Sequence, residues 1–542
     1  MTIFVRRGMF AAAVLLGSLL VFGLVGAAAE SDEPVMLRMC ESAPTYIDPA
    51  VGSDFSSSMA FANLYDSLIE PKPDGSIGPF VAESWEVSDD AMTFTFKIRP
   101  GIYFHDQSEL NAEDVAFSLN RLLAIGKGYA YLFSSIARAE AVDLFTLRVI
   151  MKEKFGPLVP AMARLYIVNK ELVMANLEPG GFGDFQDYGE SFLAFNDAGS
   201  GPYSVEEHNP EQFTTMVKFD TYWHGFVENA PDIVEILLSV PSITQRNLLL
   251  QRELEISDQY LPKEVLRELE QVEGISATEF FDSGFYVTMN CQKPPTDDIH
   301  VRRAISWAVD YDSVIEYIYP GSIQMIGPVP QFLPGAAADL FQYHQDPEKA
   351  KEELKLSKYY GQLDQYPIEL SWIAETPTRE KVALLVKRDL EKIGLKVNVV
   401  KTPWSKTVQD STAAETTPHL NTIIVAPHYS EAGSMLESKY PSWAAGSWES
   451  TEWLLNKEVD ELIAAARTTT DLEQRFAFYH QVQELLVDLV PDVFLFDMRN
   501  EEAYQSGYVE WHDLKDPVSV MGYVYDASRI SVYPEKREAL LK

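Results

Sequence analysis

PFVAESWEVSDDAMTFTFKIRPGIYFHDQSELNAEDVAFSLNRLLAIG, residues 79–126, decides how the rest of the chain is read. Phe94, Phe96 and Ile98 alternate with Thr93, Thr95 and Lys97, the period-2 pattern of a strand that buries one face. Arg99-Pro100-Gly101 ends it, since proline has no N–H to donate and glycine tolerates positive φ. After Tyr103 and Phe104 the pattern predicts a helix: Asn111 suits the N-cap, with Asp114 three residues on. Val115, Leu119 and Leu122 share one face, and Gly126 suits the exit. The stretch is a strand, a tight turn and a capped helix.

Upstream, Arg6 and Arg7 precede an apolar run from Met9 to Val25 that closes on Ala27-Ala28-Ala29, the pattern of an export signal over residues 1–29. The competing reading is an uncleaved anchor, because Gly8–Ala29 carries no charge over 22 residues and about 20 can span a bilayer. Small residues at the −3 and −1 positions favour cleavage. No cysteine closes the apolar run, so a lipid-anchored N-terminus is not expected.

The 542 residues exceed one ordinary core, and about 150 residues per domain suggests three or so domains. Without Arg6 and Arg7 the chain carries 42 basic against 81 acidic residues, a net charge of −39. Such a surface repels nucleic acid and anionic lipid headgroups, and it reads as a solvated acidic surface rather than a binding patch. Cys40 and Cys291 each adjoin an apolar strand-like run, Val35 to Met39 and Phe285 to Met289. Neighbouring strands of one sheet would allow a bond in an exported protein, but the narrow geometry makes two free thiols the expectation.

Further strands are predicted over 145–151, 212–219, 233–240, 395–400, 423–425 and 493–496, and helices over 56–68, 244–252, 377–393, 457–466 and 471–489. Glycines at 180, 181, 183, 189, 199 and 201 make 177–201 loop-like, the mark of a boundary. The return of helix and strand after Asp346 is an α/β pattern.

Catalytic and metal chemistry find no foothold. The nine histidines are scattered without HExxH, and no GxSxG, Walker A or strand-to-helix GxGxxG occurs, so no metal and no cofactor is expected. His105-Asp106 reads as a surface turn, and carboxylate pairs mean little in so acidic a chain. Aromatics say more: Trp443, Trp448 and Trp453 cluster near Tyr440, and Trp404 follows Pro403 just past a strand. Core packing is the plainer reading, and a stacking surface for a ligand is the sharper one.

The stretch VAESWEVSDDAMTFTFKIRPGIYFHDQSELNAEDVAFSLNRL resembles the signature of the oligopeptide- and dipeptide-binding family, family 5 of the extracellular solute-binding proteins that serve ABC importers. Ile47-Asp48-Pro49, Asn63-Leu64-Tyr65-Asp66, Ser200-Gly201-Pro202-Tyr203, Phe219-Asp220-Thr221-Tyr222-Trp223, and Asn290 with Pro294-Pro295, Asp298 and Val301-Arg302-Arg303-Ala304-Ile305 extend the likeness in order along the chain. The resemblance implies an α/β, periplasmic-binding-protein-like fold (type II, cluster C) with two hinged lobes and an additional inserted domain. It implies a discontinuous first domain over 30–70, 197–290 and 496–542, a second over 71–196 and a third over 291–495. The implied protein is an exported, extracytoplasmic monomer, located in the periplasm or at the outer face of the membrane. It captures a ligand by hinge closure and hands it to permease subunits.

Peptide-binding members hold the peptide ammonium with an aspartate in a Trp-x-Ala-Asp-Tyr segment, which aligns with Val425-Ala426-Pro427-His428-Tyr429. His428 stands where the aspartate would be and Tyr429 matches, so the charge-assisted bond is missing unless a carboxylate such as Glu431 substitutes. Trp404 matches a family cleft tryptophan, and Ser57, Ser58 and Tyr131 fall near cleft-lining positions. With Trp443 from the aromatic cluster, the candidate ligand-binding residues are Ser57, Ser58, Tyr131, Trp404, His428, Tyr429 and Trp443. A peptide-like ligand ranks first and an oligosaccharide second, with an exported carboxylate-dependent hydrolase or a sensing receptor without transport as other classes.

Overall fold

In the computed structural model the signature strand spans Thr93–Ile98, with Phe94, Phe96 and Ile98 buried as their alternation requires. The structure describes residues 34–41 and 45–542, so the export-signal reading lies outside the described residues. The strand sits inside an antiparallel four-stranded sheet, between Ala82–Val87 and Thr146–Met151, with Ile136–Asp143 at the far edge. The helix that follows is Ala112–Ile125. Asn111 accepts from the Glu113 backbone while Asp114 accepts from the Asn111 backbone, a reciprocal cap, and Gly126 closes the helix at φ 68°.

A second four-stranded sheet joins distant parts of the chain. Met36–Glu41 pairs in parallel with Ile233–Leu238, which continues antiparallel through Phe213–Lys218 to Tyr203–Asn209. The third sheet has six strands centred on Phe280–Met289, flanked antiparallel by Asp492–Asn500 and Leu420–Val425. Ile368–Ile373 and Val397–Thr402 extend it in parallel, joined by the helix Thr378–Lys392 as a β-α-β unit. The central strand splits two cores: Phe285, Val287 and Met289 pack on one side, Tyr286 on the other. A two-sided sheet explains why it reads as an unbroken apolar run.

The motifs that carry the resemblance are buried polar junctions. Asp66 accepts from Ser200 Oγ, Tyr222 Oη and Trp223 Nε1, each at 2.9 Å, so one carboxylate gathers three separate stretches. Burial still pushes its carboxyl up to about 6, against those three hydrogen bonds. Gly199 must be glycine, because a Cβ there would lie 1.8 Å from the Leu64 carbonyl oxygen. Asp298 caps Ile299–Ala308, and Arg302 one turn on donates to the Val490 and Thr296 carbonyls, seating that helix on the six-stranded sheet.

One sequence reading changes and another holds. His105 is no surface residue: its Nδ1 lies 2.5 Å from Asp197 and its Nε2 3.0 Å from the Gly201 carbonyl, so it fastens the glycine-rich segment. Cys40 and Cys291 are free, because Cys40 lies in the Met36–Glu41 strand while Cys291 follows Phe280–Met289 in a different sheet. No helix among the described residues is long and apolar enough to cross a membrane.

Candidate functional site

Strand ends and helix starts from all along the chain converge on a cavity of about 300 Å³. One wall is the loop into helix Phe55–Leu64, where Asp54 serves as N-cap and accepts from the Ser57 backbone and the Ser56 hydroxyl at 2.9 Å. Ser57 and Ser58 lie one step behind this wall, fully buried and outside the cavity lining. Ser57 Oγ accepts from the Tyr46 backbone, and Ser58 Oγ shares a 2.7 Å hydrogen bond with Tyr129 Oη. The serines at cleft positions are thus scaffold, and Asp54 and Ser56 are the lining groups.

The facing wall is aromatic. Trp404 starts the helix Trp404–Asp410 just after the edge strand, and its backbone N–H donates to the Glu375 carboxylate at 3.0 and 3.2 Å. Its ring meets Trp448 edge to face, with centroids 5.0 Å apart. Trp448 is the member of the tryptophan cluster that reaches this cavity. Trp453 is committed elsewhere, donating to Thr417 Oγ1.

An outer chamber of about 470 Å³ shares Ser53, His428 and Trp448 with the inner one. Tyr131 and Trp443 line it, 42 % and 51 % exposed, and the Arg467 guanidinium lies 5.8 Å over the Trp443 ring. Tyr429 does not line either chamber: it is fully buried, and its hydroxyl donates to Glu437.

His428 lies where the two chambers meet. Its backbone N–H donates to Ser434 Oγ at 2.7 Å, and its carbonyl accepts from Arg164 Nε at 2.8 Å. The ring packs edge to face on Tyr129 and Tyr131, and Nε2 lies 2.9 Å from Glu449 Oε1. Burial alone would raise the Glu449 carboxyl, but the His428 ring beside it holds it below its ordinary value. A carboxylate is therefore present at this end, already committed to the imidazole. Glu431 is likewise committed, gripped by Arg475 through Nε at 3.0 Å and Nη2 at 2.7 Å, so it does not replace the missing aspartate.

The residues missed by sequence reading carry the charge of the inner cavity. Glu41, Asp54, Asp282 and Glu375 line it, and Arg379 is the one guanidinium among its described lining residues. Arg379 Nη1 donates to the Thr422 carbonyl at 3.0 Å, while its buried Nε has no hydrogen-bond partner among the described residues. The guanidinium thus keeps unused hydrogen-bonding capacity beside the cavity. Tyr260 adds a further aromatic face.

Glu437, at the outer chamber, gives a pH signature. It accepts from Tyr429 and Tyr479 at 3.2 Å and lies 3.3 Å from Arg467, yet burial pushes its carboxyl up to about 7. The folded state then holds a proton that the unfolded chain releases near pH 4.5, so this contribution to stability is full below that pH and is lost as pH rises through 7. Glu437→Gln is expected to gain about 2–3 kcal/mol relative to wild type between pH 5 and pH 8, read from urea midpoints at both. A wild-type difference that stays constant with pH would contradict this.

A two-chamber cleft set among three sheets, one of them a mixed sheet with a β-α-β unit, defines the type II periplasmic-binding-protein-like class. Residues 76–446 match the family described as bacterial extracellular solute-binding proteins, family 5 Middle. The chain belongs to family 5 of the bacterial extracellular solute-binding proteins, whose members bind solutes outside the cytoplasmic membrane. It is 28 % identical over 473 residues to the probable D,D-dipeptide-binding periplasmic protein DdpA of Escherichia coli strain K12, covering 85 % of this chain and 88 % of that one. It is 27 % identical over 531 residues to di/tripeptide-binding protein 2 of Pseudomonas aeruginosa, covering 91 % and 95 %. The fold matches that of periplasmic binding protein DppA from Helicobacter pylori, solved in complex with the peptide STSA, at a TM-score of 0.79 and 23 % identity over 92 % of this chain and 98 % of that one.

Proposed function

We propose that this protein captures a small peptide-like solute in the inner cavity and delivers it to the permease of an ABC importer. The observation that carries the reading is the cavity itself: an aromatic wall at Trp404 and Trp448 faces a polar wall at Asp54, with Arg379 offering a guanidinium nitrogen. Aromatic faces hold the apolar parts of a ligand, and the few polar groups fix its orientation. The names of the relatives, which refer to dipeptides and di/tripeptides, support the same class.

The proposal includes closure of two lobes about the segments near 197, 290 and 496, with the domain division expected from sequence, and action as a monomer without turnover of the ligand. Closure is favoured because the ligand binds the closed state better than the open one. Tyr131, Trp443 and His428 are assigned to the outer chamber, where the distal part of a longer ligand would lie. Ser57, Ser58 and Tyr429 are assigned supporting roles behind the lining.

Titration of tryptophan fluorescence with di- and tripeptides and with oligosaccharides tests the ligand class. Saturable binding of peptides is expected, and a response to sugars alone would overturn the proposal. Trp404→Ala is expected to weaken peptide binding by about tenfold or more, as loss of a central aromatic anchor does. Unchanged affinity in that variant would show that the aromatic wall does not hold the ligand.

A further inference from the structure

We infer that the ligand carries a cationic group which is seated against Asp54 and Asp282, two lining carboxylates of the inner cavity distinct from those paired to His428 and Arg475. The inference rests on the reading of the cavity as the solute site and names the chemistry of the solute. Asp54 and Asp282 line the same cavity from different elements, the loop before Phe55–Leu64 and the central strand Phe280–Met289. Neither forms an ion pair with any described residue: Asp54 accepts only from Ser56 and Ser57, both on Oδ1, and Asp282 accepts only from Ser283 and Asn500. Neutral donors stabilise a buried carboxylate less well than a cation does.

The surroundings deepen the deficit. Asn500 is shared between Asp282 and Glu502, and both Asn500 Oδ1 and Glu502 Oε2 are buried without a hydrogen-bond partner. Burial pushes the Asp282 carboxyl up to about 6 and raises that of Asp54, the direction expected where no cation is present and one that a bound ammonium would reverse.

An independent observation points to a ligand in the same space. Arg379, 5 % exposed, lines this cavity with no carboxylate at ion-pair distance among the described residues and with Nε lacking an acceptor. Uncompensated groups of both signs around one cavity fit a zwitterion, its cation at Asp54 and Asp282 and an anionic or carbonyl oxygen at Arg379. The carboxylates of Glu449 and Glu431 are committed to His428 and Arg475 and leave the cation no other unpaired anchor at that end.

Isothermal titration of the full exported chain with alanyl-alanine, N-acetyl-alanyl-alanine and the diamine cadaverine tests this. N-acetylation, which removes the ammonium, is expected to weaken binding by about tenfold or more. In Asp282→Asn, and in Asp54→Asn, which preserves the helix cap, the penalty is expected to shrink to about threefold or less. Equal binding of the free and acetylated dipeptides overturns the cation subsite while leaving the peptide reading intact. Binding of cadaverine with no response to either dipeptide upholds the subsite and overturns the peptide reading. Absence of binding by all three probes overturns both.

Discussion

Arg121→Met is expected to lower the stability of the folded chain by about 3–5 kcal/mol, because it strands a buried carboxylate. Arg121 lies in the signature helix and pairs bidentately with Asp48, 73 positions upstream, at 2.6 Å through Nη1 and Nη2. Both side chains are almost wholly buried, at 1 % and 4 % exposure, and Arg121 Nε also donates to the Tyr188 carbonyl. The pair ties the helix to the Ile47-Asp48-Pro49 segment, so two stretches that read as separate motifs are one junction. Denaturation in urea, followed by tryptophan fluorescence, measures the loss. The double change Arg121→Met with Asp48→Leu is expected to recover most of it, since removing both charges avoids the unpaired one. A single variant within about 1 kcal/mol of wild type would show that the pair contributes no more than a surface bridge.

Arg164→Ala is expected to weaken ligand binding by about tenfold or more through loss of one charge-assisted hydrogen bond across the cleft. Arg164 is fully buried, and its guanidinium lies over the rings of Tyr129 at 4.9 Å and Tyr523 at 5.7 Å. No described carboxylate lies within ion-pair distance of it. Its Nε donates instead to the carbonyl of His428, 264 positions away on the cavity rim. Under the proposed lobe closure the bond joins the expected second domain to the third, so it would stabilise the ligand-holding state in particular. Fluorescence titration with a bound peptide reads the effect, and unchanged affinity would show that Arg164 plays no part in closure.

Much of the scaffold was legible because local chemistry and global fold agree. The Asn111/Asp114 cap, the Thr93–Ile98 alternation and the Gly126 exit need only neighbours in sequence, and each is found where the pattern places it. Helix Thr378–Lys392 and helix Leu472–Leu489 also lie within a residue or two of expectation. The site was less legible because its groups are assembled by long-range packing. Which side of a serine-rich helix start faces the cleft depends on Ser57 being tied to Tyr46 and Ser58 to Tyr129, and only that choice brings Asp54 to the front. Arg379 reads as an ordinary charge in a helix's first turn until strand Leu420–Val425 passes beside it. Asp282 interrupts an apolar strand with a signal that becomes meaningful once its lack of a cation is seen.

His428 lies between these cases. Its place in the chain was marked by the resemblance, and a carboxylate 21 residues later, Glu449, turns it from a substitute for an aspartate into half of an internal pair. His105 shows the converse: it lies in a turn as the sequence indicates, yet it is half-buried because Asp197 and Gly201 return to it from the glycine-rich segment.

On the proposed function, the inner cavity bounded by Trp404, Trp448, Asp54 and Arg379 holds one small peptide-like solute. Native mass spectrometry of the exported protein, purified without denaturation and then dissociated, measures this most directly. One bound species per chain is expected, of dipeptide or tripeptide mass, and it is expected to be lost in Trp404→Ala. A bound species whose mass and fragments are those of an oligosaccharide would contradict it.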